Sequence, residues 1–181
     1  MILLYADDPG AANYLAPLPS ALEVHGLRSR FVIDPALATY AADRNMACIT
    51  RPPTAEPEEL LTGMRLLVVG TSENPSCFGH RLTDAARRLG IPSLGVVDME
   101  VNAARRFMGL SEDPLRHAPD FLAVTDKGSR DAFAGLGFPV DRIAICGHPH
   151  YDRIRLRRAD FEAPSPAGTS HPAPCRRSIR R

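Results

Sequence analysis

The feature that most constrains this chain is a series of short, unbroken Val/Ile/Leu runs, each followed by a stretch of helical character. Runs that do not alternate apolar with polar residues suit strands covered on both faces, the situation of a parallel sheet flanked by helices. Leu66–Val69, closed by Gly70, is the clearest. Ile2–Ala6, Arg30–Ile33, Met46–Ile49, Ser93–Val97, Ala118–Val124 and Ile143–Cys146 complete the set. Helices are predicted between them at Ala11–His25, Pro35–Arg44, Glu56–Gly63, Phe78–Leu89 and Gly128–Leu136. Gly26, Gly90 and Gly137 serve as stops. This alternation predicts an α/β fold: a Rossmann-like, doubly wound parallel sheet of about six to seven strands in three α/β/α layers.

The 181 residues suffice for one domain with a real core and a short appendage. The text changes at Ala159, where Pro164, Pro166, Pro172 and Pro174 interleave with small polar residues and the chain ends in arginines. We therefore expect a folded domain over 1–158 and a disordered tail over 159–181. Charge follows the same division. Residues 1–152 hold 14 Lys/Arg against 19 Asp/Glu, and residues 153–181 hold 8 against 2. A mildly acidic folded part argues against a nucleic-acid surface. No apolar run approaches the roughly 20 residues of a membrane span. The start, Met1 to Asp8, reads as a first strand rather than a signal peptide, so a cytoplasmic protein is expected.

In an open parallel sheet, ligands bind beyond the carboxyl ends of the strands, where strand order reverses. Three loops there are polar. Asp7-Asp8-Pro9-Gly10-Ala11-Ala12-Asn13 follows the first strand, and its small residues would let helix-start amides approach an anion or a sugar hydroxyl. It is neither a dinucleotide fingerprint nor a phosphate-binding P-loop. An Asp/Asn turn that merely caps a helix would look the same. Gly70-Thr71-Ser72-Glu73-Asn74-Pro75 follows the strongest strand and offers hydroxyls, an amide and a carboxylate, or simply another cap. In Asp98-Met99-Glu100, two carboxylates two residues apart suit a general base and a hydroxyl acceptor. A solvated loop with local pairing to Arg105 and Arg106 is the alternative.

The run Gly147-His148-Pro149-His150-Tyr151-Asp152 tempts a metal reading, but no helix holds the two histidines on one face and no further ligand motif accompanies them. No metal and no cofactor are expected; His148 is read as a ligand contact or hinge. His25, His80, His117 and His171 are expected at the surface or in caps. Of the four cysteines, Cys48, Cys77 and Cys146 are expected as mostly buried thiols, with Cys175 in the tail.

The series Asp-Pro-Gly-Ala-Ala-Asn, Val-Val-Gly-Thr-Ser, Gly-Ile-Pro-Ser-Leu-Gly-Val-Val-Asp, Pro119–Asp126 and Cys146–Asp152 resembles the N-terminal domain of GT-B-type glycosyltransferases. The resemblance extends to nucleotide-sugar 2-epimerases, lipid-A-disaccharide synthases and capsule-polysaccharide enzymes, and covers about residues 1–158. It implies the acceptor-side half of a sugar-transfer or nucleotide-sugar enzyme of polysaccharide or cell-envelope synthesis. Its ligand would be a sugar or nucleotide-sugar. Pro9, Gly10, Asn13, Ser72, Glu73 and His148 would bind it, and Asp98 and Glu100 would be the catalytic pair. The family's second domain has no counterpart in this sequence, so an incomplete catalyst is expected, complemented by a second domain or partner chain across the cleft. A non-catalytic sugar- or nucleotide-binding or assembly module is the alternative. A receiver-type signalling domain fits poorly: it needs five strands and an acceptor aspartate after its third, where Cys48-Ile49-Thr50-Arg51 has none.

Overall fold

The computed structural model of the chain describes residues 1–99, 101–152 and 155. Its contacts divide the chain into Met1–His150 and Tyr151–Arg181, and the sheet belongs to the first unit. The expected boundary at 158 and the disorder expected over 159–181 lie outside the described residues.

Seven strands form one sheet: β1 (Ile2–Ala6), β2 (Ser29–Ile33), β3 (Ile49–Thr50), β4 (Leu66–Gly70), β5 (Ser93–Val96), β6 (Phe121–Val124) and β7 (Ile143–Ile145). Their order is β3-β2-β1-β4-β5-β6-β7 and every pairing is parallel. The chain winds outward from β1 to β3, returns to the centre at β4 and winds the other way. The switch point therefore lies between β1 and β4, in register from Ile2↔Leu66 to Tyr5↔Val69. A five-stranded receiver domain is excluded.

Alternate side chains of the central strands serve two cores. Leu4, Ala6 and Val68 pack under α1 (Pro9–Leu15), α2 (Leu18–Val24) and α3 (Ala38–Asp43). Leu3, Tyr5, Leu67 and Val69 face the opposite layer, α4 (Pro57–Leu61) and α5 (Phe78–Leu89). A third core, with Phe133 of α6 (Lys127–Gly135) at its centre, supports β6 and β7. Period-two burial from both layers produces the unbroken apolar runs of the sequence.

Two expected elements differ. The single helix over 11–25 is two helices, broken where Pro17 lacks an amide proton and its ring crowds the preceding turn. The third strand shifts to Ile49–Thr50, paired only with Val32 and Ile33. Among the cysteines, Cys77 is buried, Cys48 half-buried and Cys146 exposed. Cys146 lies just past β7, an edge strand of the sheet.

Candidate functional site

The three polar loops meet at one end of the sheet. The first is set by backbone chemistry: Asp8 is the N-cap of α1, its Oδ1 accepting from the Ala11 amide at 2.8 Å, with Pro9 in the first turn. Gly70 ends β4 beneath this helix. A Cβ there would overlap that of Ala11, so glycine is what lets α1 sit over the strand end. Gly10 performs the same service toward the third loop. A Cβ on it would overlap Asp98 Oδ2 and lie 3.1 Å from Asp98 Cγ.

Arg106 joins the second loop to the third. Its side chain is 4% exposed, and its Nη1 donates to Asp98 Oδ1 at 3.1 Å and to Thr71 Oγ1 at 2.9 Å. Its Nε donates to the Val101 carbonyl at 3.3 Å. At the lip, Asn102 Nδ2 donates to both Glu73 oxygens, at 3.0 and 2.9 Å. Asn102 is one of two non-glycine residues with positive φ among the described residues, at 59°, a conformation asparagine tolerates. Ser72 is buried and its Oγ accepts from the Asn74 amide at 3.2 Å. Between these groups lies a cleft of about 300 Å³ lined by Asp8, Thr71 to Asn74, Asp98, Met99 and Arg106.

Of the residues singled out in the sequence, Ser72, Glu73 and Asp98 line the cleft and Gly10 abuts it through Asp98. Pro9 is exposed at the start of α1 and lies off the cleft lining. Asn13 also lies off it, its amide oxygen accepting from the Tyr40 hydroxyl at 3.1 Å. His148 packs on the Tyr14 ring at 4.9 Å, and its Nδ1 accepts from the His150 amide at 3.2 Å. Burial pulls its pKa below the usual histidine range, while the charge of Asp98 acts the other way. Glu100 lies outside the described residues. Among those residues, no group of three or more His, Cys, Asp or Glu is placed to hold a metal ion.

Sequence reasoning missed Asp8 and Thr71 as cleft residues and offered Arg106, with Arg105, only as a local partner in a solvated loop. It also missed Asp7. This carboxylate takes the Gly79 amide of α5 at 2.9 Å, and burial pushes its pKa up to about 6. Asp8 is likewise raised, by burial first and against its bond to Ala11. His80 and His117 were expected at the surface or in caps. His80 is instead buried in α5, stacked on His117 at 4.7 Å, because the segment 101–118 folds back over that helix.

The electrostatics define what the cleft offers. One amide at the start of each of α1, α5 and α6 is engaged, by Asp8, Asp7 and Asp126 respectively. The arginine is paired with Asp98. The walls thus present carboxylate and hydroxyl oxygens, a lining that accepts hydrogen bonds from a hydroxyl-bearing ligand and, among the described residues, has no uncommitted cation for a phosphate.

Fold and cleft together define a Rossmann-like α/β domain with a polar cleft at the carboxyl edge of the sheet, beside the β1/β4 switch point. No protein-family model and no curated protein matches the chain. Among solved structures it is similar to the UDP-GlcNAc 2-epimerase of Methanocaldococcus jannaschii in complex with UDP-GlcNAc and UDP. That match has 12% identity and a TM-score of 0.67, covering 91% of this chain and 51% of the other. The UDP-GlcNAc 2-epimerase of Neisseria meningitidis bound to UDP-GlcNAc matches at 13% identity and TM-score 0.61, over 90% and 50%. The glycotransferase of kitacinnamycin matches at 13% and 0.50, over 81% and 51%. The chain spans about half the length of these structures. Among the described residues, no helix is long and apolar enough to cross a membrane.

Proposed function

We propose that this domain is the acceptor-side half of a GT-B-type sugar-transfer or nucleotide-sugar enzyme of polysaccharide or cell-envelope synthesis, working in the cytoplasm. The observation that carries the reading is the meeting of three loops around Asp98 at the switch point. Arg106 fixes one oxygen of that carboxylate, and the other points over Gly10. A sugar hydroxyl held by Asp8, Ser72 and Glu73 would pass its proton to Asp98 as its oxygen attacks an anomeric carbon. The bond from that carbon to a diphosphate leaving group breaks in the same step. General-base help of this kind is worth about 10²–10⁴-fold. The lining has no free cation for the departing diphosphate, which favours a second domain or partner chain to hold it.

Isothermal titration of the full chain with UDP, UDP-GlcNAc and a panel of uncharged mono- and disaccharides tests the reading, with turnover assays on any pair that binds. The expected result is saccharide binding in the cleft that Asp98→Asn leaves within a few-fold while abolishing any turnover. Tight binding with no turnover, unaffected by adding partner domains, would instead mark a binding module. Failure to bind any saccharide or nucleotide sugar sinks both.

A further inference from the structure

The cleft depends on where Arg106 is held, and the group holding its backbone is a histidine that the proposed chemistry does not use. His80 Nε2 lies 2.9 Å from the Arg106 carbonyl oxygen. A carbonyl only accepts, so Nε2 carries the proton and Nδ1 is bare in the neutral ring. Nδ1 is sealed from solvent and has no hydrogen-bond partner, the single such buried side-chain atom among the described residues.

The surrounding contacts make one unit of α5 and the segment 101–118. The His80 and His117 rings stack at 4.7 Å with 10° between their planes. His117 Nδ1 pairs with Asp84 Oδ2 at 2.9 Å, one turn along α5, and the His117 amide donates to the Phe107 carbonyl at 2.9 Å. Asp84 also meets Arg87 at 3.2 Å and Arg116 at 3.9 Å. Gly109, at φ 58°, leaves room for the ring: a Cβ there would be 2.7 Å from His117 Nε2.

We propose that His80 is a positioning residue. Its Nε2–H locks the Arg106 backbone so that the guanidinium reaches Asp98 and Thr71, and a second proton on the ring opens the lock. The relevance to ligand rests on the function proposed above; the lock itself does not. A proton on Nδ1 would place a net charge in a closed site, a desolvation cost that outweighs the carbonyls facing the ring and that the segment relieves by swinging away. Burial, the largest effect, opposes the charged ring, the Arg106 carbonyl favours it, His117 opposes it, and the Pro75 carbonyl and Asp84 favour it; burial prevails and keeps the pKa of His80 below the ordinary histidine range. The folded state therefore binds fewer protons than the open one, so the lock is complete above the ordinary range and weakens as pH falls through it.

Hydrogen–deuterium exchange of the full chain, read on peptides covering 101–109 and corrected for intrinsic pH dependence, tests this without any ligand. His80→Phe keeps the ring and removes the donor; His80→Gln keeps a donor and cannot take up a second proton. At pH 7.5 (about one unit above the histidine range) the Phe variant should exchange about tenfold faster, the equilibrium worth of one hydrogen bond. The Gln variant should match wild type. Toward pH 5 (below that range) wild type should approach the Phe rate while Gln stays flat. Phe exchanging like wild type, or Gln as fast as Phe, overturns the lock. Equal pH response in wild type and Gln overturns its titration. If the Phe variant does not fold, the wild-type against Gln comparison decides alone. A cleft that binds no saccharide leaves these rates unchanged, so failure of the functional reading is distinguishable.

Discussion

Gly10→Ala isolates the contact between the first and third loops. On helix propensity alone the change should help, since alanine is favoured over glycine within a helix by about 1 kcal/mol. Gly10 is the second residue of α1, and no positive φ forbids a side chain there. The added methyl, however, would overlap Asp98 Oδ2, and Asp98 cannot simply turn aside without leaving Arg106 Nη1, 3.1 Å from its other oxygen. A charge-assisted bond of this type is worth about 1.5–3 kcal/mol. Subtracting the propensity gain leaves a net loss of about 0.5–2 kcal/mol. In a chain of this size that is a Tm fall of about 1–8 °C. The assay is a double-mutant cycle by urea and thermal unfolding with Asp98→Ala. In the Asp98→Ala background the nearest remaining obstacle is Asp8 Oδ1 at 3.3 Å, so Gly10→Ala should become neutral or stabilising, with a coupling of about 2 kcal/mol. Additive effects, or a Gly10→Ala protein more stable than wild type, would refute the contact and with it the convergence of the loops.

The same geometry sets three further expectations. Arg106→Met should cost about 3 kcal/mol in urea unfolding, because it strands Asp98 and Thr71 against an apolar chain; a loss below about 1 kcal/mol would mean the arginine is not holding them. Asp7 has its carboxylate pKa raised to about 6, so the folded protein binds more protons than the unfolded one between the ordinary carboxylate range and that value. Stability should therefore fall by about 2 kcal/mol as pH rises through this window, and Asp7→Asn should flatten the slope. Unfolding midpoints from pH 4 to 7 read both (about the two ends of that window). Ser93→Ala should cost about 1–2 kcal/mol by calorimetry, since Asp120 Oδ2 accepts from both the amide and the hydroxyl of Ser93 at 2.8 Å.

The parts of the fold legible in the sequence are those decided locally. Leu66–Val69 and Ile2–Ala6 announce central strands because both faces are buried, and Gly70, Gly90 and Gly137 mark ends because the backbone there needs glycine or its close packing. Given parallel strands, the rim position of the loops after β1, β4 and β5 follows from chain direction alone. The helix break is equally local, and Pro17 with Pro19 is the signal for it. Arg106 and His80 were not legible. The connection 97–120 has no periodicity, and its path back over α5 is set by contacts such as His80 to Arg106 and His117 to Asp84, more than 25 residues apart in sequence. Nothing in Asn102-Ala103-Ala104-Arg105-Arg106 says which arginine turns inward; Arg105 is exposed and Arg106 buried.

The Asp-Pro-Gly loop shows why a site can be located from sequence before its chemistry is known. Small residues at a helix start read equally as a cradle for an anion or as a capped turn, and an aspartate at the N-cap is compatible with both descriptions. In three dimensions the two exclude each other: the carboxylate of Asp8 occupies the Ala11 amide that an anion would need, and its own charge repels that anion. Asp7 at Gly79 and Asp126 at Ser129 repeat the arrangement along the rim. With Arg106 committed to Asp98, a ligand that donates hydrogen bonds is matched by the walls and a phosphate is not. A sugar hydroxyl satisfies that condition.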